Sequence, residues 1–226
     1  MRDGETNDVG SLLLPTGTNS PTSTVSVKSL LAPPEAKRLL EKGKKEASAQ
    51  QWPDAEKHLT RATGIYPPYA EAWHELGLVL QREKKSDDAR KAFEQALAAD
   101  PGFLRPYFGL AGLAADAEDW KQMKEISDRA VALAADPRML FYNAIASFNL
   151  KQFDDAERSL IRASSIDSQH QVPQIDLLLG DILIERHDYA GAAKHVRDFL
   201  AHAPDGPQAE SAREELRRLE AVVAQR

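Results

Sequence analysis

The side chains with which this 226-residue chain could do chemistry are few. It has no cysteine, which removes thiol catalysis, disulfides and thiolate-ligated metal and leaves the redox compartment open. Its six histidines are His58, His74, His170, His187, His195 and His202. None falls in an HExxH pattern, where two imidazoles one helical turn apart share a face and hold a metal. With no acidic partner grouped beside them along the chain, no metal and no cofactor is expected. The pairs Asp87-Asp88 and Asp154-Asp155 offer carboxylates for acid and base work, but they recur at the same place in two similar segments. Negative charge at a helix N-terminus explains that recurrence, and an active site does not. Gly109 and Gly112 sit inside a helical pattern, so no phosphate-cradling loop is present. No catalytic group is expected, and the chemistry that remains is recognition.

Charge and composition narrow the partners. With 35 acidic against 29 basic residues the formal net charge is -6, which favours solubility and argues against a nucleic-acid surface with its basic excess. The apolar run near the N-terminus, Leu12-Leu13-Leu14, is far shorter than a signal peptide's hydrophobic region or a membrane span. No membrane insertion is expected, and the chain as it stands reads as cytoplasmic. Residues 14–26, LPTGTNSPTSTVS, bury too little apolar area to offset ordering entropy. Residues 1–32 are therefore expected to be a disordered or partly extended linker, with Thr24 to Leu30 alternating like a strand.

From Ala36 onward apolar residues recur three and four apart, the pattern of amphipathic helices. An interval of 34 pairs Gly43 with Gly77, Ala55 with Ala89, Ala62 with Ala96 and Pro67 with Pro101. The ladder continues through Met123, Ala156 and Ala192, and three residues before these anchors stand Trp52, Ser86, Trp120, Phe153 and Tyr189. The hexapeptide ALAADP occurs at 96–101 and again at 132–137. Its alanines suit close helix approach, and Asp-Pro stops helix propagation. The second copy arrives 36 residues after the first, so the helix it ends is expected to run from Met123 to about Ala135, two residues longer than its counterparts. Ser86 is expected to cap the helix that Asp87 and Asp88 begin, and Pro53 suits a first helical turn. Ser127 stands where Phe93 and Leu160 occupy the equivalent places.

The stretch containing Trp73, Leu76, Gly77, Ala89, Phe93, Ala96 and Pro101, with Leu80 where the family pattern has tyrosine, resembles a bacterial tetratricopeptide repeat. The resemblance implies an all-α solenoid of about five helix-turn-helix repeats over 33–206, at about 36–69, 70–103, 104–136, 137–172 and 173–206. One such helix pair buries too little apolar surface to stand alone, so stacking completes the core. Residues 207–226, with Ala209, Ala212, Leu216, Leu219 and Val223 on one stripe, read as a capping helix.

The family's geometry places the first helix of each repeat on a concave groove. Carried over residue by residue, the exposed inner positions are Lys44, His74, Leu78, Arg105, Phe108, Arg138, Phe141, Ile145, Phe148 and Asn149. Such a groove implies a protein or peptide partner with one or two hydrophobic anchors and a carboxylate, the arginines giving orientation. Phe141, Ala144, Ile145 and Phe148 also have the spacing of core residues, so a register shift of one position turns the groove face into packing. The Lys/Asn clamp of chaperone-tail-binding relatives is not matched, because Leu40, Leu78 and Phe108 fill its places. A looser resemblance links residues 8–38 to exported bacterial proteins in which a sandwich-like domain precedes the array. On that reading the chain is an accessory or regulatory module, or a fragment, of a larger assembly and is exported or periplasmic.

Overall fold

A computed structural model describes residues 27–225. Among them lie twelve helices and no strand. A short turn, α1 (Val27–Leu30), precedes five helix pairs: α2 (Pro34–Ser48) with α3 (Trp52–Ile65), α4 (Ala70–Arg82) with α5 (Ser86–Ala99), α6 (Arg105–Asp116) with α7 (Trp120–Leu133), α8 (Pro137–Asn149) with α9 (Phe153–Ile166), and α10 (Gln174–Glu185) with α11 (Tyr189–His202). The last helix, α12 (Ala209–Ala224), packs against α11. In each hairpin the two helices pack together, and the second helix packs on the first helix of the next hairpin, so the main core runs unbroken from Ala32 to Ile182.

All five hairpins turn by one device. Gln50, Lys84, Glu118, Lys151 and His187 follow the first helices with φ of 59°, 61°, 53°, 62° and 61°. The next residue in each case donates its N–H five residues back: Gln51 to Glu46, Lys85 to Leu80, Asp119 to Ala114, Gln152 to Ser147 and Asp188 to Leu183, at 2.8–2.9 Å. This left-handed ending satisfies carbonyls that the helix would otherwise orphan. It normally takes glycine, and no residue at these five places signals it. The tertiary fold holds non-glycine residues in a conformation that costs each roughly 1 kcal/mol or more.

The recurring alanines lie where helices cross, with Ala55, Ala89, Ala156 and Ala192 all fully buried. Phe93 on α5 fills the space between α4 and α6, and its ring lies directly over Gly77 and Gly109. Where the third hairpin offers Ser127 in place of such a ring, polar groups take the volume. Asn143 donates to Ser127 Oγ at 3.0 Å and to Asp128 Oδ1 at 2.6 Å, and Ser159 donates to Asn143 Oδ1 at 2.8 Å. One buried amide thus ties α7, α8 and α9 together.

Several local expectations are corrected. α7 ends at Leu133 and is 14 residues long, the same length as α5. The first ALAADP ends α5 and runs into a turn, whereas in the second Asp136 accepts from Arg138 N–H at 2.9 Å and Pro137 opens α8. Asp-Pro starts a helix as readily as it stops one, since the missing N–H is no loss at the first position. Ser86 is the first residue of α5 and makes no side-chain cap; Lys85 precedes it as N-cap. Asp119, Asp136 and Asp188 do the capping instead. Val27–Leu30 is a helical turn rather than a strand, because an unpaired strand leaves its backbone groups unsatisfied and a turn closes them locally. Ser29 and Ala32 are buried, so the linker expected through residue 32 is already packed there. The linker proper, residues 14–26, and Thr24 to Ser26 of the expected strand lie outside the described residues. In α12, Ala209, Ala212 and Leu219 are buried while Val223 is exposed.

Candidate partner-binding groove

The first helices of neighbouring hairpins approach one another, α2 to α4, α4 to α6 and α8 to α10, and no pair of second helices packs as closely. Closer spacing on one side curves a stack towards that side, so α2, α4, α6, α8 and α10 form its inner face.

Six of the ten expected groove residues are accessible there. Lys44 is half-buried and donates to Glu71 at 3.2 Å and Glu41 at 3.3 Å. Leu78 is half-buried against the core. Arg105 is exposed and pairs with Glu75 at 3.1 Å. Phe108 is half-buried, 6.3 Å from the Tyr142 ring, and the Arg138 guanidinium lies 4.6 Å from its centroid. Arg138 directs Nε and Nη2 at Asp136, at 3.1 and 2.7 Å, so one arginine is fixed by a carboxylate and stacked on a ring. Asn149 donates to the Ile145 carbonyl at 2.9 Å.

The other four are buried, which corrects the expectation that they face outward. Phe141, Ile145 and Phe148 are 8%, 3% and 6% exposed, and every side chain of α8 from Met139 to Phe148 is buried. Phe148 packs edge-on against Phe153 at 5.4 Å. The core spacing of these residues, rather than the groove register, describes them. His74 is 4% exposed, between Phe93 and Phe103, with Nδ1 bonded to no partner among the described residues. Burial, and then the positive charge of Arg105, push its pKa down to about 3, so the ring is neutral at physiological pH.

Charge along the face is arranged in pairs. The three cations named above all meet carboxylates: Lys44 with Glu71 and Glu41, Arg105 with Glu75 and Arg138 with Asp136. Burial raises the Glu75 pKa, which Arg105 partly offsets. Further along, burial and the charges of Glu215 and Glu185 raise the Asp181 carboxyl to about 6. The arginines alone overstate the positive charge available to a ligand, because Glu75 on α4 faces Arg105 and Asp136, at the start of α8, faces Arg138.

A second grouping was illegible along the chain. His195 has acidic neighbours after all: Asp176 on α10 and Asp198 on α11. Asp176 Oδ1 lies 2.9 Å from His195 Nδ1. The spacing of His195 and Asp198, three apart on a helix, was the one available signal.

Comparison with known proteins agrees with this architecture. Residues 70–103 match the tetratricopeptide repeat profile. No curated protein matches the chain in sequence. Similar solved structures include YrrB, described as a TPR protein with an unusual peptide-binding site, at 19% identity and TM-score 0.65, covering 79% of this chain and 92% of that one. MamA 41-end from Desulfovibrio magneticus RS-1 is 16% identical with TM-score 0.68, covering 78% and 99%. Pseudomonas aeruginosa pilF is 17% identical with TM-score 0.66, covering 84% and 91%. At such identities the likeness is one of fold.

Proposed function

Taking the chain as the tetratricopeptide-repeat protein that its second hairpin and its stacked helices make it, we propose that it is a non-enzymatic scaffold docking a peptide segment of a protein partner on its inner face. The observation that carries this reading is the partly buried Phe108 ring beneath the Arg138 guanidinium at 4.6 Å, with Leu78 and Arg105 on the same face. An apolar anchor of the peptide packs beside Phe108. The part of the Arg138 fork not aimed at Asp136 binds a peptide carbonyl or carboxylate. The charge pairs alongside give polar groups of either sign a partner, which sets direction more than affinity. No helix among the described residues is long and apolar enough to cross a membrane, and a peptide groove calls for none. YrrB, described as having an unusual peptide-binding site, is a precedent for peptide binding by a fold of this kind.

The experiment is selection of peptides from a random library on the intact protein, followed by affinity measurement on Phe108→Ser and Arg138→Glu. Both side chains are accessible, so both variants are expected to keep the helical signal and melting temperature within a few degrees. Selected peptides should weaken at least tenfold on each variant, and undiminished binding on both would overturn the assignment of this face.

A further inference from the structure

The cluster of Asp176, His195 and Asp198 lies away from the Phe108–Arg138 face, in the last helix pair. We propose that it is a binding site for a divalent first-row transition cation of the Zn2+ or Co2+ class.

Three observations support it. The first is convergence: one donor atom from each side chain lies within 4.8 Å of the others. His195 and Asp198 stand three residues apart on α11, hence on one face, and Asp176 reaches across from the first turn of α10 with Oδ1 at 2.9 Å from His195 Nδ1. The second is register. The place of Asp176 in its hairpin is filled in the other four by Leu39, Trp73, Tyr107 and Leu140, offset from the anchors Ala192, Ala55, Ala89, Met123 and Ala156 by the same 16 residues. Those four are buried or packed against the core. Stacking asks for an apolar side chain there, and the fifth hairpin supplies a carboxylate aimed at an imidazole. The third is access. The side chains of Asp176, His195 and Asp198 are 21%, 26% and 42% exposed, open enough for an ion to enter and sheltered enough to shed part of its water.

The donor set decides the class of ion. One imidazole nitrogen with two carboxylates suits Zn2+, Co2+ or Mn2+, whereas Ca2+ and Mg2+ prefer oxygen alone. Bonds of about 2.0–2.2 Å to the metal require the donors to close in, and the exposed Asp198 side chain can rotate to do so. The competing contact, Lys194 Nζ to Asp198 Oδ2 at 3.0 Å, is an exposed pair and weak. Three protein ligands leave a coordination position for water or for a side chain of another protein. Bound there, the ion clamps α10 to α11.

The test uses tag-free, chelator-stripped full-length protein. Co2+ is titrated while its visible absorption bands are followed, and Zn2+ binding is measured by calorimetry. One site per chain is expected, weakened at least tenfold in His195→Ala, Asp176→Asn and Asp198→Asn. His58→Ala is the control. His58 occupies the equivalent place in the first hairpin but meets a single carboxylate, Glu46, at 2.7 Å, and its loss should leave binding unchanged. Asp198→Asn alters an exposed side chain, so the test stands even where another variant fails to fold. The proposal is overturned by the absence of a protein-bound Co2+ spectrum, by binding that survives His195→Ala or Asp198→Asn, or by equal competition from Mg2+ and Ca2+.

Discussion

Replacing Gly109 with alanine tests the packing of the stack at its tightest point. Phe93 is fully buried. A Cβ added at Gly109 would lie 2.4 Å from Phe93 Cζ, and one added at Gly77 would lie 2.5 Å from Cε1. Ordinary carbon contacts sit at about 3.5–4.0 Å, so the ring must move roughly 1 Å away from α6, and α4 blocks that path. Overpacking of this kind costs about 1–3 kcal/mol, while alanine in a helix interior returns up to about 1 kcal/mol. The net expectation is a loss of roughly 1–2 kcal/mol, or about 2–8 °C in melting temperature for a chain of this length. Two controls share the chemistry but not the geometry. A Cβ at Gly180 meets Val196 Cγ2 at an ordinary 3.5 Å, and one at Gly64 meets nothing within 4 Å. Both alanine variants should melt at or slightly above the parent. Thermal and urea unfolding followed by circular dichroism at 222 nm decides, and Phe93→Leu should shrink the penalty of Gly109→Ala. If Gly109→Ala melts with Gly64→Ala, the ring is not gripped from both sides and the account of repeat packing fails.

His74 makes stability depend on pH. Its pKa is about 3 in the folded chain against 6.5 for a free ring, so the unfolded state takes the proton first. The contribution is full above pH 6.5 and lost as pH falls towards 3, on the order of 2 kcal/mol by pH 5; His74→Leu should flatten that slope in urea titrations. Asn143→Leu strips partners from Ser127 and Ser159 at once and should cost about 1–3 kcal/mol, part of it recovered when Ser127 is also changed to alanine. Glu118→Gly relieves a left-handed residue at the third hairpin turn and, after the entropy of glycine, should stabilise by up to about 1 kcal/mol, visible as a raised urea midpoint. Falling stability in that variant would show that the turn carries no strain.

The ten helices of the five hairpins, their pairing and the closing helix α12 were legible in the residues themselves, whereas the turn α1 was not. Anchors at Ala55, Ala89, Met123, Ala156 and Ala192 mark second helices because close crossing demands small or flexible side chains at a fixed place in each unit. Such a pattern repeats locally, so a reader of the chain can find it. Ends were harder. Asp-Pro closes α5 and opens α8 with the same letters, since the outcome depends on whether the chain turns into solvent or directly onto the next hairpin.

What each side chain faces was decided only in three dimensions. Phe108 and Phe148 look alike in sequence, both aromatic and both on first helices, yet one is only partly buried and the other is 6% exposed. Helical periodicity sets which residues share a face. It does not set how far the neighbouring hairpins rotate over that face. The arginine–carboxylate pairs across helices and the meeting of Asp176 with His195 have a like origin, in groups about 20 to 30 residues apart brought within 3.1 Å by helix packing, between hairpins for Arg105 and Glu75 and within one hairpin for Asp176 and His195. Sequence alone determined that helix pairs would form and must pile up, because one pair buries too little apolar surface to persist. Tertiary structure decided which surfaces the pile leaves open, because that depends on the angle between units, a sum over contacts that no single segment contains.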